Sequence, residues 1–421
     1  MKKKLVSLLL VSAMALGTFA GCGSKGEADQ PAGTQDATAE TQKAAEEEKK
    51  DVALTVWSPQ EDQDTGWLKK ECDAFNEAHP NWNITFEYGV CPEGEAKDTV
   101  KNDVEGSADV YMLANDNIPD LATVNALAEI GGSYLDEIKA TNSESIVSSV
   151  TYNDAVLAFP FTSNTWFMYY DKRVFSEDDI KSLDTMLEKG KVSFPLTNSW
   201  YIAAFYAANG CTLFGDGTDA DAGIDFGGEK GAAVTNYLVD LAANKNFIND
   251  ADGAGISGLR DGKVNAIFSG TWDAASVKEA LGDNMGVAAL PAAKIGGNDC
   301  TLKSFMGSKA IAVNPNAKDM EVAMALAAFL SGEQAQKDHY DMRGILPSNT
   351  TIDVSSDEIA TAVSKVMTDT SIVQPLVKPM NQYWAPAENM GKAIVAGEVT
   401  HDNAADKTEE MNTAMNTDVA E

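Results

Sequence analysis

The sequence has 421 residues, of which 44% are hydrophobic, and its 64 acidic residues outnumber the 32 basic ones to give a formal net charge of -32. A chain of this length and apolar content can bury a large core, and it usually forms two domains or one body with two lobes. So acidic a surface repels polyanions, which argues against nucleic acid as a partner, although the charge does not specify a ligand.

The N-terminal residues are typical of an export signal. Met1–Lys4 is basic, and the apolar run 5–16 that follows is too short to span a bilayer as a stable helix. Phe19-Ala-Gly-Cys22 resembles a lipobox, with Phe19 in place of the usual Leu. A lipobox implies that residues 1–21 are a cleaved signal peptide and that Cys22 carries a lipid at the mature N-terminus. The alternative is a plain secretory signal followed by an unrelated cysteine.

Residues 22–51 are predicted to form a disordered tether. The sequence from Gly23 to Lys50 is rich in Gly, Ala, Thr, Gln and Glu and has no apolar residue larger than Ala, so it cannot bury enough surface to offset its ordering entropy. A lipidated cysteine followed by such a tether predicts anchoring on the extracellular face of the cell membrane, as on a Gram-positive-like surface. Residues 1–21 contain three lysines and no acid, so their removal changes the net charge from -32 to -35.

The first part of the body alternates strands with helices. Strands are predicted at 54–57, 83–88 and 108–113, a helix at 67–79 that Pro80 ends, and a second helix that ends near Ile130. Alternation of this kind is typical of βαβ units with a parallel sheet, so this part is predicted to be an α/β lobe.

The stretch from Tyr152 to Phe175 is predicted to carry the chain from one lobe to another. Asn153-Asp154 lies between apolar flanks and indicates a hairpin turn, since both residues tolerate a left-handed backbone. A strand follows at 155–159, and Pro160 is expected to end it because proline lacks the N–H that a sheet requires. After a polar segment, a second strand is predicted at 166–170.

The remainder of the body has the pattern of a second α/β lobe. The predicted helices and strands follow in chain order: strand 194–196, helix 199–209, helix 229–244, strand 264–268, strand 285–290, strand 309–314 and helix 322–330. The last helix is apolar on nearly every face, which indicates a buried helix.

The cysteines and histidines do not indicate a metal site or a cofactor. Cys72, Cys91, Cys211 and Cys300 are widely spaced, and an exported chain could pair them as Cys72–Cys91 and Cys211–Cys300 or keep them as free buried thiols. The histidines are far apart in sequence, and no run has the spacing of metal ligands.

Three tryptophans are candidate ligand-stacking residues: Trp200, Trp272 and Trp384. Each has polar or small neighbours in sequence, whereas a core tryptophan more commonly lies in an apolar run. The flat face of an indole ring suits the C–H face of a pyranose, and its N–H can reach a hydroxyl. The alternative is that these rings pack in the core or against loops.

Polar candidates lie where predicted parallel strands end, which is where binding crevices form in α/β folds. Gln60, Glu61 and Asp62 follow the first strand, and Asp116 and Asn117 follow the third. Carboxylates and amides accept hydrogen bonds from sugar hydroxyls. For Glu61 and Asp62 the alternative is a solvated turn. Arg343 is assigned a structural role rather than a ligand contact.

Several runs together resemble one family, the extracellular solute-binding proteins of carbohydrate ABC importers, and within it the maltose/maltodextrin-binding type. These runs are 52–57, 152–175, 268–272, 344–349 and Tyr383-Trp384, with Asp154 where the family usually has Gly. The resemblance implies a two-lobed, periplasmic-binding-protein-like α/β fold with several interlobe crossings and a ligand cleft between the lobes. It places residues 52–162 and 309–355 in lobe 1, and residues 163–308 and 356–421 in lobe 2.

The same resemblance assigns roles to individual residues. The three tryptophans match stacking aromatics of the family, and Asp116 matches a sugar-binding aspartate. Asn164 stands where the family often has Glu, Asn117 replaces a usual Arg, and Asp62 stands where maltose receptors carry Lys. These departures leave the sugar, its length and its linkage open.

The expected protein is a monomeric, lipid-anchored receptor, not an enzyme, that captures maltooligosaccharides and delivers them to the permease subunits of an ABC transporter. One alternative keeps the fold with another oligosaccharide, such as a β-linked or galactose-containing one. The other is a secreted glycoside hydrolase, which would need a positioned pair of carboxylates.

Overall fold

A computed structural model describes residues 49–251 and 253–417. The predicted signal peptide, Cys22 and nearly all of the predicted tether lie outside the described residues. Among the helices in the described ranges, none combines the length and the apolar composition needed to cross a membrane.

The described residues alternate short strands with helices along the chain. The strands are β1 (Lys50–Ser58), β2 (Trp82–Val90), β3 (Val110–Ala114), β4 (Thr151–Tyr152), β5 (Ala155–Val156), β6 (Phe159–Thr165), β7 (Phe167–Asp171), β8 (Val192–Phe194), β9 (Thr212–Leu213), β10 (Ile224–Asp225), β11 (Phe247–Asn249), β12 (Ala266–Ser269), β13 (Met285–Ala288), β14 (Ala292–Ile295), β15 (Asn298–Thr301), β16 (Ser304–Val313) and β17 (Ser371–Val373). The helices are α1 (Gln60–Asp64), α2 (Trp67–Ala78), α3 (Ala96–Asn102), α4 (Ile118–Thr123), α5 (Gly132–Thr141), α6 (Glu144–Ser148), α7 (Leu183–Lys189), α8 (Ser199–Ala208), α9 (Gly228–Ala243), α10 (Ala254–Arg260), α11 (Ala274–Leu281), α12 (Met320–Leu330), α13 (Glu333–Arg343), α14 (Glu358–Asp369), α15 (Trp384–Val395) and α16 (Ala404–Met415).

The first sheet has the strand order β17-β16-β3-β1-β2, with β6 also paired to β16. Strand β1 runs parallel to β2 and β3, as the βαβ pattern predicts, whereas β16 runs antiparallel to both β3 and β6. Helices α2 and α12 cover this sheet and bury Phe75 and Leu326 against it. The pattern around α12 therefore correctly predicted a helix that packs in the core.

The second sheet has the order β11-β8-β12-β7-β13. Strands β8, β11 and β12 are parallel, and β7 is antiparallel to its neighbours β12 and β13. Alternate residues of β7 enter different cores, since Met168 packs with Phe194 and Phe205 while Tyr169 packs on the opposite face. Both faces of this sheet are thus covered, as is usual for a sheet with parallel strands.

The chain passes between the two sheets through a few extended segments. Strand β6 ends at Thr165 in the first sheet, and the next residue, Trp166, already lies in the core of the second. Near the start of β16, Phe305 lies in that second core, and Val313 at the end of the strand lies in the first. The predicted lobe boundaries after 162 and 308 fall inside these two strands and stay predictions.

The turn prediction is confirmed, but the prediction for Pro160 is wrong. Asn153 and Asp154 have φ values of 49° and 64° and join β4 to β5. Pro160 does not end a strand; it lies within β6 at an irregularity, where Ala310 pairs with Pro160 and Lys309 pairs with Thr162. This register leaves Phe161 without a partner in β16, and a proline is tolerated beside such a bulge because the regular hydrogen-bond ladder is interrupted there.

The four cysteines of the body are all free and buried, so the predicted alternative of two disulfides is wrong. Burial in apolar surroundings raises the pKa of Cys72 and of Cys211 to about 12 in each case. Because the thiolate is the reactive form, this pKa shift disfavours reaction of these two thiols at neutral pH.

Candidate ligand-binding cleft

A cavity of about 590 Å³ lies where residues of the two sheets meet, and this volume is in the range of ligand pockets. It is bordered by the ends of strands, the first turns of helices and the segments that cross between the sheets. The lining residues are Gly94, Lys97, Ala114, Asn115, Asp116, Asn164, Ser199, Trp200, Trp272, Gly307, Lys309, Gln374 and Trp384.

All three predicted tryptophans line this cavity. Trp200 lies in the first turn of α8, where the Asn198 side chain accepts a hydrogen bond from its backbone N–H at 2.9 Å. The ring centroids of Trp200 and Trp272 are 6.1 Å apart, with 39° between the ring planes. Trp384 begins α15, and its ring contacts Phe305 at a centroid distance of 6.1 Å. Three indole rings therefore border the cavity.

The backbone beneath Trp272 is fixed by hydrogen bonds from the second sheet. The hydroxyl of Tyr169 donates to the carbonyl of Gly270 at 3.0 Å, and the hydroxyl of Ser269 donates to Asp273 Oδ2 at 2.5 Å. The indole ring lies directly over Gly270, because a Cβ atom at that position would come within 2.0 Å of the ring. Any residue other than glycine would therefore push Trp272 out of its position.

Gly270→Ala is expected to weaken ligand binding about tenfold or more, because the displaced indole can no longer stack on the ligand. The measurement is calorimetric titration with the ligand that the wild-type protein binds. Gly131→Ala is the matched control, since a Cβ there meets nothing within 4 Å and should leave the affinity unchanged. An unchanged affinity in Gly270→Ala would show that the position of the Trp272 ring is irrelevant to binding.

The predicted polar residues Asp116 and Asn164 also line the cavity, but the neighbouring Asn117 does not. Asn117 is buried; its Oδ1 accepts a hydrogen bond from the Lys97 backbone N–H at 2.8 Å, and its Nδ2 donates to Asp116 Oδ1 at 3.2 Å. Asn117 thus holds Asp116 and the start of α3 in place, and its contact with ligand stays a prediction. For Asp116 and Asn164 a role in binding remains a prediction.

The predicted group Gln60, Glu61 and Asp62 lies away from the cavity. Gln60 is exposed and donates to Asp64 Oδ1 at 2.6 Å, and Glu61 is exposed to solvent. Asp62 is 1% exposed, and its carboxylate accepts from His339 Nε2 at 2.9 Å and from Arg343. The structure thus does not bring these three residues together with the tryptophans, and their contact with ligand stays a prediction. Arg343, which is predicted to have a structural role, pairs with the buried carboxylate of Asp62 and does not line the cavity.

The cavity also contains residues that the sequence patterns missed, among them Lys97, Lys309 and Gln374. Gln374 follows β17, and its Oε1 accepts a hydrogen bond from Trp200 Nε1 at 3.2 Å. This bond links the segment after β17 to the Trp200 ring in α8. One signal for Lys309 was available, because a single lysine interrupts the otherwise uncharged strand 304–313.

Structures similar to this chain share its two-lobed architecture. A solved structure described as "with acarbose" is 54% identical, and the match covers 86% of this chain and 98% of that one with a TM-score of 0.81. The maltodextrin-binding protein MalE1 from L. casei BL23, solved without ligand, also gives a TM-score of 0.81 at 24% identity, over 87% of this chain and 99% of that one. These matches establish the periplasmic-binding-protein fold with two lobes, as predicted.

Sequence comparison gives the same assignment. The galactooligosaccharide-binding protein of Bacillus subtilis (strain 168) is 24% identical over 97% of this chain and 96% of its own length. The maltodextrin-binding protein MdxE of the same organism is 25% identical over 65% of this chain and 72% of its own length. The sequence pattern of bacterial extracellular solute-binding proteins matches residues 70–366, and the chain therefore belongs to that family.

Proposed function

We propose that the protein is the lipid-anchored substrate-binding protein of an ABC sugar importer, and that it captures maltose and maltooligosaccharides and delivers them to a membrane permease. The observation that carries this proposal is the group of three indole rings on a cavity that both lobes border. Indole faces stack on the C–H faces of pyranose rings, and a row of such rings suits a chain of glucose units better than a small polar metabolite.

Lobe closure is the mechanism that this arrangement favours. Asp116 and Lys97 lie beside the first sheet, whereas Trp200 and Trp272 lie beside the second, so a ligand that contacts all four holds the two lobes together. A ligand that makes more contacts in the closed form shifts the equilibrium toward that form by the difference in its affinities. The closed form is then the one that a permease would recognise.

The cargo of similar proteins supports an oligosaccharide. The relatives include maltodextrin-binding and maltotriose-binding proteins, and a structure that is 54% identical is described as "with acarbose". A specific observation also favours a second candidate, because the match over 97% of this chain is to a galactooligosaccharide-binding protein. That candidate keeps the fold and the cleft and changes only which hydroxyl orientations are accepted.

A secreted glycoside hydrolase is the less favoured alternative. Hydrolysis by two carboxylates needs both groups on either side of the scissile bond. Asp116 is the single carboxylate among the described residues that line the cavity. Binding without bond cleavage is therefore the function that this lining supports.

Calorimetric titration of the mature chain with maltose, maltotriose and a longer α-glucan tests the proposal. We expect saturable binding to at least one of these sugars and no release of reducing ends on long incubation. A galactooligosaccharide titrated in parallel separates the two candidate cargoes. Absence of heat with every α-glucan would overturn the maltodextrin proposal, and turnover would establish a hydrolase.

The proposed lipid anchor at Cys22 has its own test. Cys22→Ala should release the protein from the membrane fraction into the medium while its affinity for sugar stays unchanged. Retention of the variant in the membrane fraction would contradict lipidation at this residue.

A further inference from the structure

Two hydrogen-bond donors on the first-lobe side of the cleft have no partner among the residues that the structure describes. The first is the side-chain amide of Asn115, which is only 4% exposed. Its Oδ1 accepts from the Ser308 backbone N–H at 3.1 Å, whereas its Nδ2 has no hydrogen-bond partner among the described residues. A buried donor without a partner destabilises a protein, so such an atom beside a ligand cavity indicates that a ligand supplies the acceptor.

The second donor is the ammonium group of Lys309. Side chains alternate along a strand, so Lys309 shares the face of Gly307, while Ser308 points to the other face and contacts Ser149 at 2.8 Å. Both Gly307 and Lys309 line the cavity. In the described part of the chain no ion pair or hydrogen bond is found for the Lys309 side chain, whereas Lys97 in the same cavity lies 3.8 Å from Asp120.

Gly307 fixes the position of the Asn115 amide. A Cβ atom at residue 307 would lie 2.3 Å from Asn115 Oδ1, so the amide occupies space that only glycine leaves open. Because the Ser308 N–H holds the Oδ1 end, the Nδ2 end is directed away from that bond. The orientation of the unpaired donor is therefore set by the backbone of β16.

We infer that Asn115 and Lys309, together with Asp116, form a subsite that reads the hydroxyl groups of one sugar ring. One hydroxyl oxygen of the ligand accepts hydrogen bonds from Asn115 Nδ2 and Lys309 Nζ, and a neighbouring hydroxyl donates to the Asp116 carboxylate. This inference rests on the proposed function, and it makes Lys309 and Asn115 determinants of specificity. A site built to bond a hydroxyl strongly rejects an analogue that lacks it, because the donors are then left unpaired.

Lys309→Met is expected to weaken binding of the cognate oligosaccharide about 10- to 100-fold, since it removes a charged donor and keeps most of the side-chain volume. Lys303→Met is the matched control. Lys303 is exposed, directly precedes β16 and does not line the cleft, so its replacement should leave the affinity unchanged.

A set of monodeoxy analogues of the ligand separates recognition from a general loss of structure. In the wild-type protein, removal of one particular hydroxyl from the ligand should weaken binding by the same factor as the Lys309→Met substitution. In Lys309→Met, removal of that same hydroxyl should weaken binding by a much smaller factor, because the interaction is already absent. A merely structural role for Lys309 would leave the two effects independent.

Asn115→Asp provides a second variant. It keeps the oxygen that Ser308 requires and replaces the unpaired donor with an acceptor, so we expect a loss of affinity. Because a buried carboxylate also destabilises the fold, thermal unfolding without ligand establishes first that the variant is folded at the temperature of the titration. If Lys309→Met and Asn115→Asp both bind like the wild-type protein while Trp272→Ala does not, the sugar receptor stands and the inferred subsite is wrong. If the wild-type protein binds no oligosaccharide, the proposed function and this inference fall together.

Discussion

Trp272→Ala is expected to weaken oligosaccharide binding about 10- to 150-fold while the stability of the free protein changes little. The side chain is 50% exposed in the free protein, so its removal takes away little of the packing in the second lobe. In the complex the same ring would be covered by a pyranose face. Full burial of a large apolar side chain contributes about 1.5–3 kcal/mol, which corresponds to this range of affinities.

The measurement is calorimetric titration of Trp272→Ala with maltotriose, together with thermal unfolding without ligand. Trp82→Ala is the matched control, because Trp82 stacks on His79 at a centroid distance of 4.7 Å in the first lobe and does not line the cleft. That variant should lose stability and keep its affinity. Unchanged affinity in Trp272→Ala would contradict the assignment of this ring to sugar stacking.

The position of the tryptophans on a cavity could be predicted from their sequence neighbours, whereas their role in stacking on a ligand stays a prediction. Trp272 has polar or small residues on both sides, whereas a core tryptophan more commonly lies in an apolar run, and the ring lines the cavity. The fold was predictable for a related reason. The spacing of apolar residues that is typical of a strand or a helix is a local property of the sequence, and it predicted β1, β2, α2 and α12 close to their observed positions.

The polar lining of the cavity was less predictable, because one rule selected a residue that lines the cavity at one strand end and a residue that does not at another. The rule that ligands bind at the carboxyl ends of parallel strands identified Asp116 after β3 and also Asp62 after β1. It selects an edge of the sheet but not the direction of a side chain. Asp62 turns toward His339, which lies 277 residues further along the chain, and no local pattern encodes such a contact.

Lys309 and Gln374 escaped prediction because they lie in crossing segments. These segments have the sequences of ordinary strands, since they pair with neighbours in the first sheet for part of their length. Their side chains line the cleft because of how the two lobes are arranged, which is a property of the tertiary structure and not of the local sequence. Pro160 shows the same limit, because the bulge that tolerates it depends on the register between β6 and β16.

The cluster of Asp62, His339 and Arg343 ties the start of α1 to α13 within the first lobe. Burial alone would raise the pKa of Asp62, but the hydrogen bonds and charges of His339 and Arg343 outweigh this effect and hold its pKa below the ordinary value of 3.8. The imidazole also contacts Trp67 at a centroid distance of 5.1 Å, so the ion pair is enclosed by aromatic rings. Removal of the carboxylate would leave the guanidinium of Arg343 partly buried without its partner.

Asp62→Ala is therefore expected to lower the free energy of unfolding by about 3–5 kcal/mol, which is the usual cost when one partner of a buried ion pair is removed. Because the pKa of Asp62 is lower in the folded state, its contribution is fully present above pH 3.8 and is lost as the pH falls through the folded-state pKa. The free energy of unfolding of the wild-type protein, measured by urea denaturation from pH 7 downward, should thus approach that of the variant in acid. Asp261→Asn, which removes an exposed partner of Lys263, is the control and should unfold like the wild-type protein at every pH.

The sugar affinity of folded Asp62→Ala should equal that of the wild-type protein, because Asp62 does not line the cleft. A large loss of affinity with unchanged stability would return Asp62 to the ligand site and contradict the arrangement described for the first lobe.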